Sequence, residues 1–236
     1  MDEIVIKPVA HVHTEFREKF GIPRQSSIVP GLKGEVVFVP PYNNPAAIKG
    51  IEGYSHLWLI WGFSESVREN VSLTVHPPRL GGKEKRGVFA TRAPYRPNPI
   101  GLSSVKLEKI IYDEKTGPHL LISGVDMLDG SPVYDIKPYM PYSDDHPDAR
   151  GGFGEKHKDY KITVIFDDEL KRILPAEQRP VVTALLEQDP RAAYQKEPGF
   201  IYGMSYAGYD IRFLADVDKI TVTEVIKTDE NTKQVK

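Results

Sequence analysis

The stretch GVFATRAPYRPNPIGLSSVKLEKIIY (residues 87–112) alternates between strand-forming runs and a stiff loop. Runs at 87–91 and 104–112 are rich in β-branched, aliphatic and aromatic residues, and a loop with three prolines lies between them. Such runs favour strands when Pro, Gly, Asn or Asp bounds them. Similar runs recur at 4–13, 35–39, 56–63, 71–75, 119–125 and 132–136. Many short strands separated by turn signals predict a barrel or a sandwich.

The sequence changes character after residue 148. We interpret the Gly-rich, charged segment 148–161 as a linker, and 160–166 as a strand with Ile162, Val164 and Phe166 on one face. Residues 175–190 predict a helix with Pro180 in its first turn, 200–216 a hairpin, and 220–226 a final strand. We therefore predict two domains, 1–155 and 156–236, the second of them small and α+β.

Composition excludes several classes of protein. The 236 residues include no cysteine, which removes disulfides and thiol chemistry, and the net charge is −2. The acidic N-terminal stretch does not resemble a signal peptide, and no apolar run reaches the length of a membrane span. We expect a cytoplasmic protein with no membrane partner. No Walker or G-x-G-x-x-G pattern supports a common nucleotide fold.

Two histidines raise the question of a metal site. His11 and His13 share one strand face, and residues 144–148 (DDHPD) contain further oxygen and nitrogen ligands. A third partner at a diagnostic spacing is missing, so an ordinary strand is the favoured interpretation. We expect no metal, and a metal hydrolase stays the weakest alternative.

Charges are separated along the chain. A basic segment (79–96) has one acid, Glu84, and six bases: Arg79, Lys83, Lys85, Arg86, Arg92 and Arg96. An acidic segment (126–148) has one lysine, Lys137, and six aspartates: Asp126, Asp129, Asp135, Asp144, Asp145 and Asp148. Two solvated surfaces would explain this pattern. An RNA surface beside a cationic or hydroxyl-rich ligand would explain it equally, because arginine pairs with phosphate and stacks on bases.

The proline-rich loop favours the functional interpretation. Pro94, Pro97 and Pro99 fix the backbone, so a loop of this kind loses little entropy when it binds. It would present Arg92, Arg96 and Asn98. FGIPRQ (20–25) has the same character, and DMLDGSPVYDIKPYMPY (126–142) adds an acidic turn.

These motifs resemble one family. KFGIPRQ, GYSHLWLIWGF, HPPRLGG, GVFATRAPYRPNPIGLSSVKL, MLDGSPVYDIKPYMPY and QDPRAAY are similar, in the same order, to the TrmO-type (TsaA/YaeB) tRNA methyltransferases. The resemblance covers nearly the whole chain. It implies a β-barrel fold, S-adenosylmethionine as methyl donor, and a homodimer with the cofactor near the subunit interface. The implied substrate is threonylcarbamoyladenosine beside the anticodon of threonine tRNA, methylated on its exocyclic nitrogen.

The resemblance also implies site residues. The positions that match the cofactor region are Pro23, Arg24, Gln25, Ser64, Glu65, Arg92, Leu102, Asp129, Gly130, Ser131 and Pro132. We expect Asp126, Asp135, Arg96 and Asn98 to be catalytic. Ribose binding, charge balance for a sulfonium and proton removal are the roles open to the three aspartates at 126, 129 and 135. Arg92 and Arg96 would grip a carboxylate or a phosphate. The competing hypothesis is a non-catalytic RNA-binding barrel.

Overall fold

The structure is a computed structural model that describes residues 4–77, 84–155, 158–191 and 199–228. The strands are β1 (Ala10–Thr14), β2 (Lys33–Phe38), β3 (His56–Gly62), β4 (Thr74–Val75), β5 (Arg86–Gly87), β6 (Ile100–Asp113), β7 (Gly117–Ser123), β8 (Ser131–Pro138), β9 (Thr163–Ile165), β10 (Ile201–Tyr206), β11 (Tyr209–Ala215) and β12 (Lys219–Lys227). The helices are α1 (Pro141–Asp144), α2 (Gly152–Glu155), α3 (Asp168–Ile173) and α4 (Gln178–Glu187). The predicted mainly β fold is confirmed.

Six strands close a barrel in the order β1-β2-β7-β6-β3-β8, and every neighbouring pair is antiparallel. Side chains alternate between its two faces because the strand period is two. The inward set is apolar and almost fully buried, and it includes Val12, Val36, Leu57, Leu59, Val105, Leu120 and Ile122. This burial is the main force that closes the barrel.

The antiparallel order sorts the connections between the two ends of the barrel. Strands β1, β3 and β7 finish at one end, where β2, β6 and β8 begin. The β1–β2 connection (15–32), the β3–β6 connection (63–99) and the β7–β8 connection (124–130) therefore all lie at this end, which we call the loop end. The opposite end has the β2–β3 and β6–β7 connections and the exit from β8.

The C-terminal part packs a helix against a four-stranded sheet of order β10-β11-β12-β9. Four residues of α4 are buried, namely Val181, Val182, Leu185 and Leu186. The packing continues into the barrel part, since the Phe20 ring stacks on Tyr202 with 6.4 Å between ring centroids. Gly21 has a φ of +91°, and a side chain there would overlap Met204. The first connection is thus fixed against the C-terminal sheet.

Most of the predicted strands are confirmed, and the differences have local causes. Residues 4–9 form no strand, and Ile4 and Val5 are exposed. The run 71–75 contributes only the two residues of β4. Residues 87–91 were expected as a strand, but Val88–Ala90 is a 3-10 turn whose Val88 is buried while Phe89 is exposed. The loop of the opening stretch ends earlier than expected because β6 already begins at Ile100.

The C-terminal expectations are mostly confirmed. The hairpin turns at Ala207 and Gly208, both with positive φ, and Ile162 and Phe166 are buried on one side of β9. The predicted helix is α4, although its range is shorter, and α3 was not expected. The segment 148–161, interpreted as a linker, contains the single helical turn α2. Several predictions concern positions outside the described residues. These positions are Arg79, Lys83, most of HPPRLGG, the end of QDPRAAY and the proposed boundary residue 156.

Candidate active site at the loop end

The loop end brings together most of the residues that the sequence singled out. The first connection has Pro23, Arg24 and Gln25, the second has Ser64, Glu65, Arg92, Arg96 and Asn98, and the third has Asp126, Asp129 and Gly130. Residues on different connections are about 30 to 110 positions apart in the chain, but they share one surface because antiparallel strands alternate in direction. Leu102, Ser131 and Pro132 lie on the strands that start there.

Hydrogen bonds join the connections to one another. The backbone N–H of Ser27 donates to the carbonyl of Gly124 at 3.0 Å, which ties the first connection to the third. The Arg92 guanidinium donates to Oε1 of Gln25, which ties the second to the first. Lys19 Nζ donates to the Glu65 carbonyl at 2.6 Å. The three connections therefore form one cross-linked surface.

Asp126 lies where these connections meet. Its Oδ1 accepts from Ser103 Oγ at 2.7 Å, and its carboxylate also accepts from the backbone N–H of Ser26. The positive charge of Arg92 is close enough to favour the ionised form. Burial is the larger effect and raises the pKa of Asp126 from 3.8 to about 6. A carboxylate with such a pKa can exchange protons near neutral pH, which suits a general base.

Sequence reasoning missed two residues behind Asp126. Trp61 donates from Nε1 to Ser103 Oγ at 3.0 Å, and both side chains are buried in the barrel wall. A signal for Ser103 was present, because Gly101, Ser103 and Val105 alternate along one strand and face inward. A serine at an inward position needs a buried hydrogen-bond partner.

Asp129 has different partners from Asp126. Its Oδ1 accepts from the backbone N–H of Thr14 at 3.1 Å and lies 3.2 Å from His13 Nδ1, and Arg17 pairs with its Oδ2. These contacts hold the turn at Gly130, whose φ is +76°. Asp129 faces a cleft of about 430 Å³ between the barrel and the C-terminal part.

The two residues after Gly130 belong to the barrel wall. Ser131 is buried and its Oγ donates to the Leu128 carbonyl at 2.7 Å, while Pro132 lies opposite His11 in β1. The polar groups of Asp129 and Ser131 are thus engaged within the protein. Any contribution of this turn to a cofactor site would come from its backbone and its shape.

Asp135 does not join Asp126, as its selection as a catalytic residue would require. It lies opposite Ile60 on β3, which in turn lies opposite Leu102 on β6. Directly opposed residues share a face, and Leu102 is 56% exposed, so this row lies on the outer wall. Ser103, the partner of Asp126, points the other way. Asp135 pairs there with Lys137 at 2.9 Å.

The acidic segment as a whole is divided in the same way. Asp144 accepts from Trp58 Nε1 at 2.9 Å, beyond the exit of β8 at the opposite end of the barrel. The aspartates of the acidic segment are therefore split among the loop end, the outer wall and the opposite end. His11, His13 and Asp144 do not gather either, and within the described ranges no group of three or more His, Cys, Asp or Glu could hold a metal ion.

The three polar residues of the basic loop, Arg92, Arg96 and Asn98, have different contacts in the structure. Arg92 contacts Gln25 and lies near Asp126, whereas Arg96 donates from Nη1 to the Thr91 carbonyl at 3.1 Å and stabilises the loop itself. Asn98 is exposed, and its carbonyl accepts from the Ile100 N–H at 2.7 Å. Of the three, Arg92 is the residue that the structure brings to the partly buried Asp126 carboxylate.

In the FGIPRQ segment, Pro23 and Arg24 are directed toward the protein. Pro23 is buried, and Arg24 Nη2 donates to the Arg191 carbonyl at 3.1 Å in the C-terminal part. Gln25 contacts the basic loop through Arg92. Ser64 and Glu65 form a 3-10 turn at the end of β3 and are exposed.

Gly101 provides a test of the packing beneath the site. A Cβ on Gly101 would overlap the Trp61 indole, so a Gly101→Ala change should displace the ring. We expect the free energy of unfolding to fall by about 1–3 kcal/mol, as for other overpacked cores. Gly87→Ala is a matched control because nothing lies within 4 Å of its added carbon. Equal unfolding curves in urea for the two variants would contradict the packing role.

Fold and site together define the class of protein: a closed β-barrel whose candidate active site is built by the loops of one end, unlike Rossmann-type enzymes. Residues 11–145 match the family model for the tRNA-methyltransferase O N-terminal domain, and residues 159–228 match the model for the TrmO C-terminal domain. The chain belongs to the TrmO family.

Individual relatives agree with this assignment. The chain is 37% identical to the tRNA (adenine(37)-N6)-methyltransferase of Escherichia coli K12, over 90% of this chain and 94% of that protein. It is 40% identical to the putative S-adenosylmethionine-dependent methyltransferase RcsF of Pseudomonas aeruginosa PAO1, over 88% and 91%. A crystal structure of TrmO from P. aeruginosa superposes with a TM-score of 0.75, 34% identity, and coverage of 96% and 98%.

Proposed function

We propose that this protein transfers a methyl group from S-adenosylmethionine to the exocyclic nitrogen of an adenine beside the anticodon of a tRNA. The finer proposal is that the base is threonylcarbamoyladenosine at position 37 of threonine tRNA. The observation that carries the proposal is the partly buried Asp126 carboxylate beside Arg92, at the barrel end where three connections meet. Family membership and the activity for which the E. coli relative is named support it.

The residues at the loop end fit the proposed cofactor. Leu102 and Ile100 are exposed apolar side chains on the outer face of β6, suited to an adenine ring. Gln25 and the backbone of the Gly130 turn offer polar groups at the same end of the barrel, and the Asp126 carboxylate supplies the negative charge that a sulfonium favours. When bound, the cofactor supplies an electrophilic methyl group.

The chain's own groups have two tasks in this reaction. Alignment is the first, because holding nucleophile and methyl carbon in line can supply up to about 7–11 kcal/mol of the barrier. The cross-linked connections provide a rigid frame for it. Proton removal is the second, because the target nitrogen is weakly nucleophilic and must lose its proton. The Arg92 guanidinium would bind either a substrate carboxylate or an anticodon-loop phosphate, because its planar fork matches both groups.

We also propose a cytoplasmic homodimer. Leu102 and Ile100 on β6, and Leu73 and Phe89 on the second connection, are exposed apolar side chains that a subunit interface would cover. The described part of the chain contains no helix long and apolar enough to cross a membrane. We further propose that the chain divides into two domains, 1–155 and 156–236. Sedimentation velocity would test the dimer.

One experiment tests the function. The protein is incubated with methyl-labelled S-adenosylmethionine and bulk tRNA, with and without the threonylcarbamoyl modification, and the labelled nucleoside is mapped. We expect label on the exocyclic nitrogen of the modified adenine only. Label on unmodified adenine would overturn the finer substrate assignment. Tight tRNA binding without label, and no heat on titration with S-adenosylmethionine, would instead identify a non-catalytic RNA-binding barrel.

Methyl transfer should not depend on a divalent metal. Displacement at a sulfonium carbon needs an aligned nucleophile and a proton acceptor, and a Lewis acid is not required. We expect the initial rate with excess chelator to equal the rate without it, once tRNA folding is secured by monovalent salt. Loss of activity that a divalent ion restores would contradict the mechanism.

A further inference from the structure

The Asp126 carboxylate ends a hydrogen-bond relay that begins inside the barrel wall. Trp61 Nε1 donates to Ser103 Oγ at 3.0 Å, and Ser103 Oγ donates to Asp126 Oδ1 at 2.7 Å. An indole N–H can only donate, so it occupies a lone pair of the serine oxygen. The single hydroxyl hydrogen is left for Asp126. The polarity of the relay is therefore fixed from Trp61 toward the carboxylate, and it favours the ionised form.

Packing holds this relay rigid. Trp61 is buried, its ring lies 4.4 Å from the Phe63 ring between centroids, and Gly101 leaves just enough room for the indole. Ser103 is 1% exposed and is fixed by its place in β6. Enzymes stabilise a charge with hydrogen-bond donors that are already in position, because no reorganisation energy is then needed. The Ser103 hydroxyl is a donor of this kind.

Each segment packed around Asp126 contributes a group that faces it. The β6 strand contributes the Ser103 hydroxyl, the first connection the Ser26 N–H, and the second connection the Arg92 guanidinium. Asp126 adds its own backbone N–H. All of these groups are donors or positive, so they stabilise the carboxylate against the effect of burial. Arg92 is the charged member of the set.

We infer that Asp126 accepts the proton of the substrate nitrogen, and that Ser103 and Trp61 are positioning residues that orient its carboxylate. This inference rests on the proposed function. During transfer an N–C bond forms while the C–S bond of the sulfonium breaks, and its electron pair stays on sulfur. The N–H proton passes to Asp126, which later returns it to water. Ser103 and Trp61 touch no substrate and act only through Asp126.

The test compares two serines on the same strand. Ser103→Ala removes the donor to Asp126, whereas Ser104→Ala makes the same change on the opposite face of β6. For Ser103→Ala we expect the acid limb of the kcat profile to move up by about one pH unit, since one hydrogen bond to a charged group is of that size. KM for tRNA should stay unchanged. Ser104→Ala should reproduce the natural profile.

Trp61→Phe is the second variant, because it keeps a buried ring but deletes the indole donor. It should move the acid limb in the same direction by a smaller amount, and circular dichroism would establish that it is folded. Coincident profiles for the natural protein, Ser103→Ala and Trp61→Phe would overturn the relay. A natural protein that transfers no label to any tRNA would overturn the proposed function instead, so the two failures are distinguishable.

Discussion

An Asp126→Asn variant is expected to be more stable than the natural protein at about pH 8 and to transfer methyl groups at least 100-fold more slowly. Both effects have one cause. Burial raises the pKa of Asp126 from 3.8 to about 6, so the environment disfavours the charge that catalysis requires. Asparagine has the same shape and no charge. Its amide oxygen can still accept from Ser103.

The pH dependence of this effect follows from linkage. The folded protein binds a proton at Asp126 more tightly than the unfolded chain does. The stability that this group contributes is complete below about pH 4 and is lost as the pH rises through about 6. At 1.36 kcal/mol per unit, the loss is at most about 3 kcal/mol. The variant's advantage in free energy of unfolding should therefore grow between about pH 4 and about pH 7 and then level off.

Urea unfolding followed by tryptophan fluorescence would measure the difference at about pH 4.5 and about pH 8. Asp145→Asn is the matched control, because it removes an exposed charge from the acidic segment and should change neither stability nor rate. A constant difference between the natural protein and Asp126→Asn at both pH values would contradict the burial of an ionisable group. A normal rate in that variant would exclude Asp126 as the proton acceptor.

Arg92→Ala is expected to abolish methylation, with a fall in kcat/KM of about 100-fold or more, while the fold stays intact. Arg92 is exposed and contacts Gln25, so it joins the first connection to the second. Its positive charge also favours the ionised form of Asp126. Its removal would therefore loosen the frame of the site and raise the pKa of Asp126 further. Exposed substitutions of this kind change stability by only about 0.5 kcal/mol.

Two variants separate the roles of Arg92. Arg92→Lys keeps the charge but loses the planar fork, so partial activity would assign the charge effect on Asp126, and full loss would assign geometry. Arg86→Ala removes the same charge from the same connection, where it pairs with Glu84 at 2.6 Å. It should cost a few-fold in tRNA affinity at low salt. Steady-state rates with saturating cofactor would measure all three, and wild-type kinetics for Arg92→Ala would refute the assignment.

The strands of the barrel were predictable because their side chains alternate against a buried core. The exceptions had no such support. Ile4, Val5 and Ile6 form an apolar run, yet they find no neighbouring strand and stay exposed. At Val88 and Phe89 the sequence looks like a strand, but a buried valine followed by an exposed phenylalanine suits a turn equally well. Which strand pairs with which is decided by the whole fold, so it cannot be predicted from the residues of one short segment.

The sequence predicted which segments form the candidate site, but it did not predict which side chains contact one another there. The stiff basic loop and the acidic turn singled out Arg92 and Asp126, and the structure brings these two residues close together. The separation of Asp135 from Asp126 was hidden, because a bulge near Tyr134 shifts the register between β8 and β3. One residue of shift moves a side chain to the other face of a strand. Trp61 and Ser103 gave no chemical motif, since their roles arise only from cross-strand contact.

The turn at the opposite end of the barrel offers a place for a reporter. Lys115 is exposed in the β6–β7 turn, where the Asp113 carboxylate accepts from its backbone N–H at 2.9 Å. That bond does not involve the lysine side chain, and the sequence contains no cysteine. Lys115→Cys would therefore give the chain a single thiol for a fluorophore. A label there would report association with tRNA, or with a second copy of the chain, from the barrel end opposite the candidate active site.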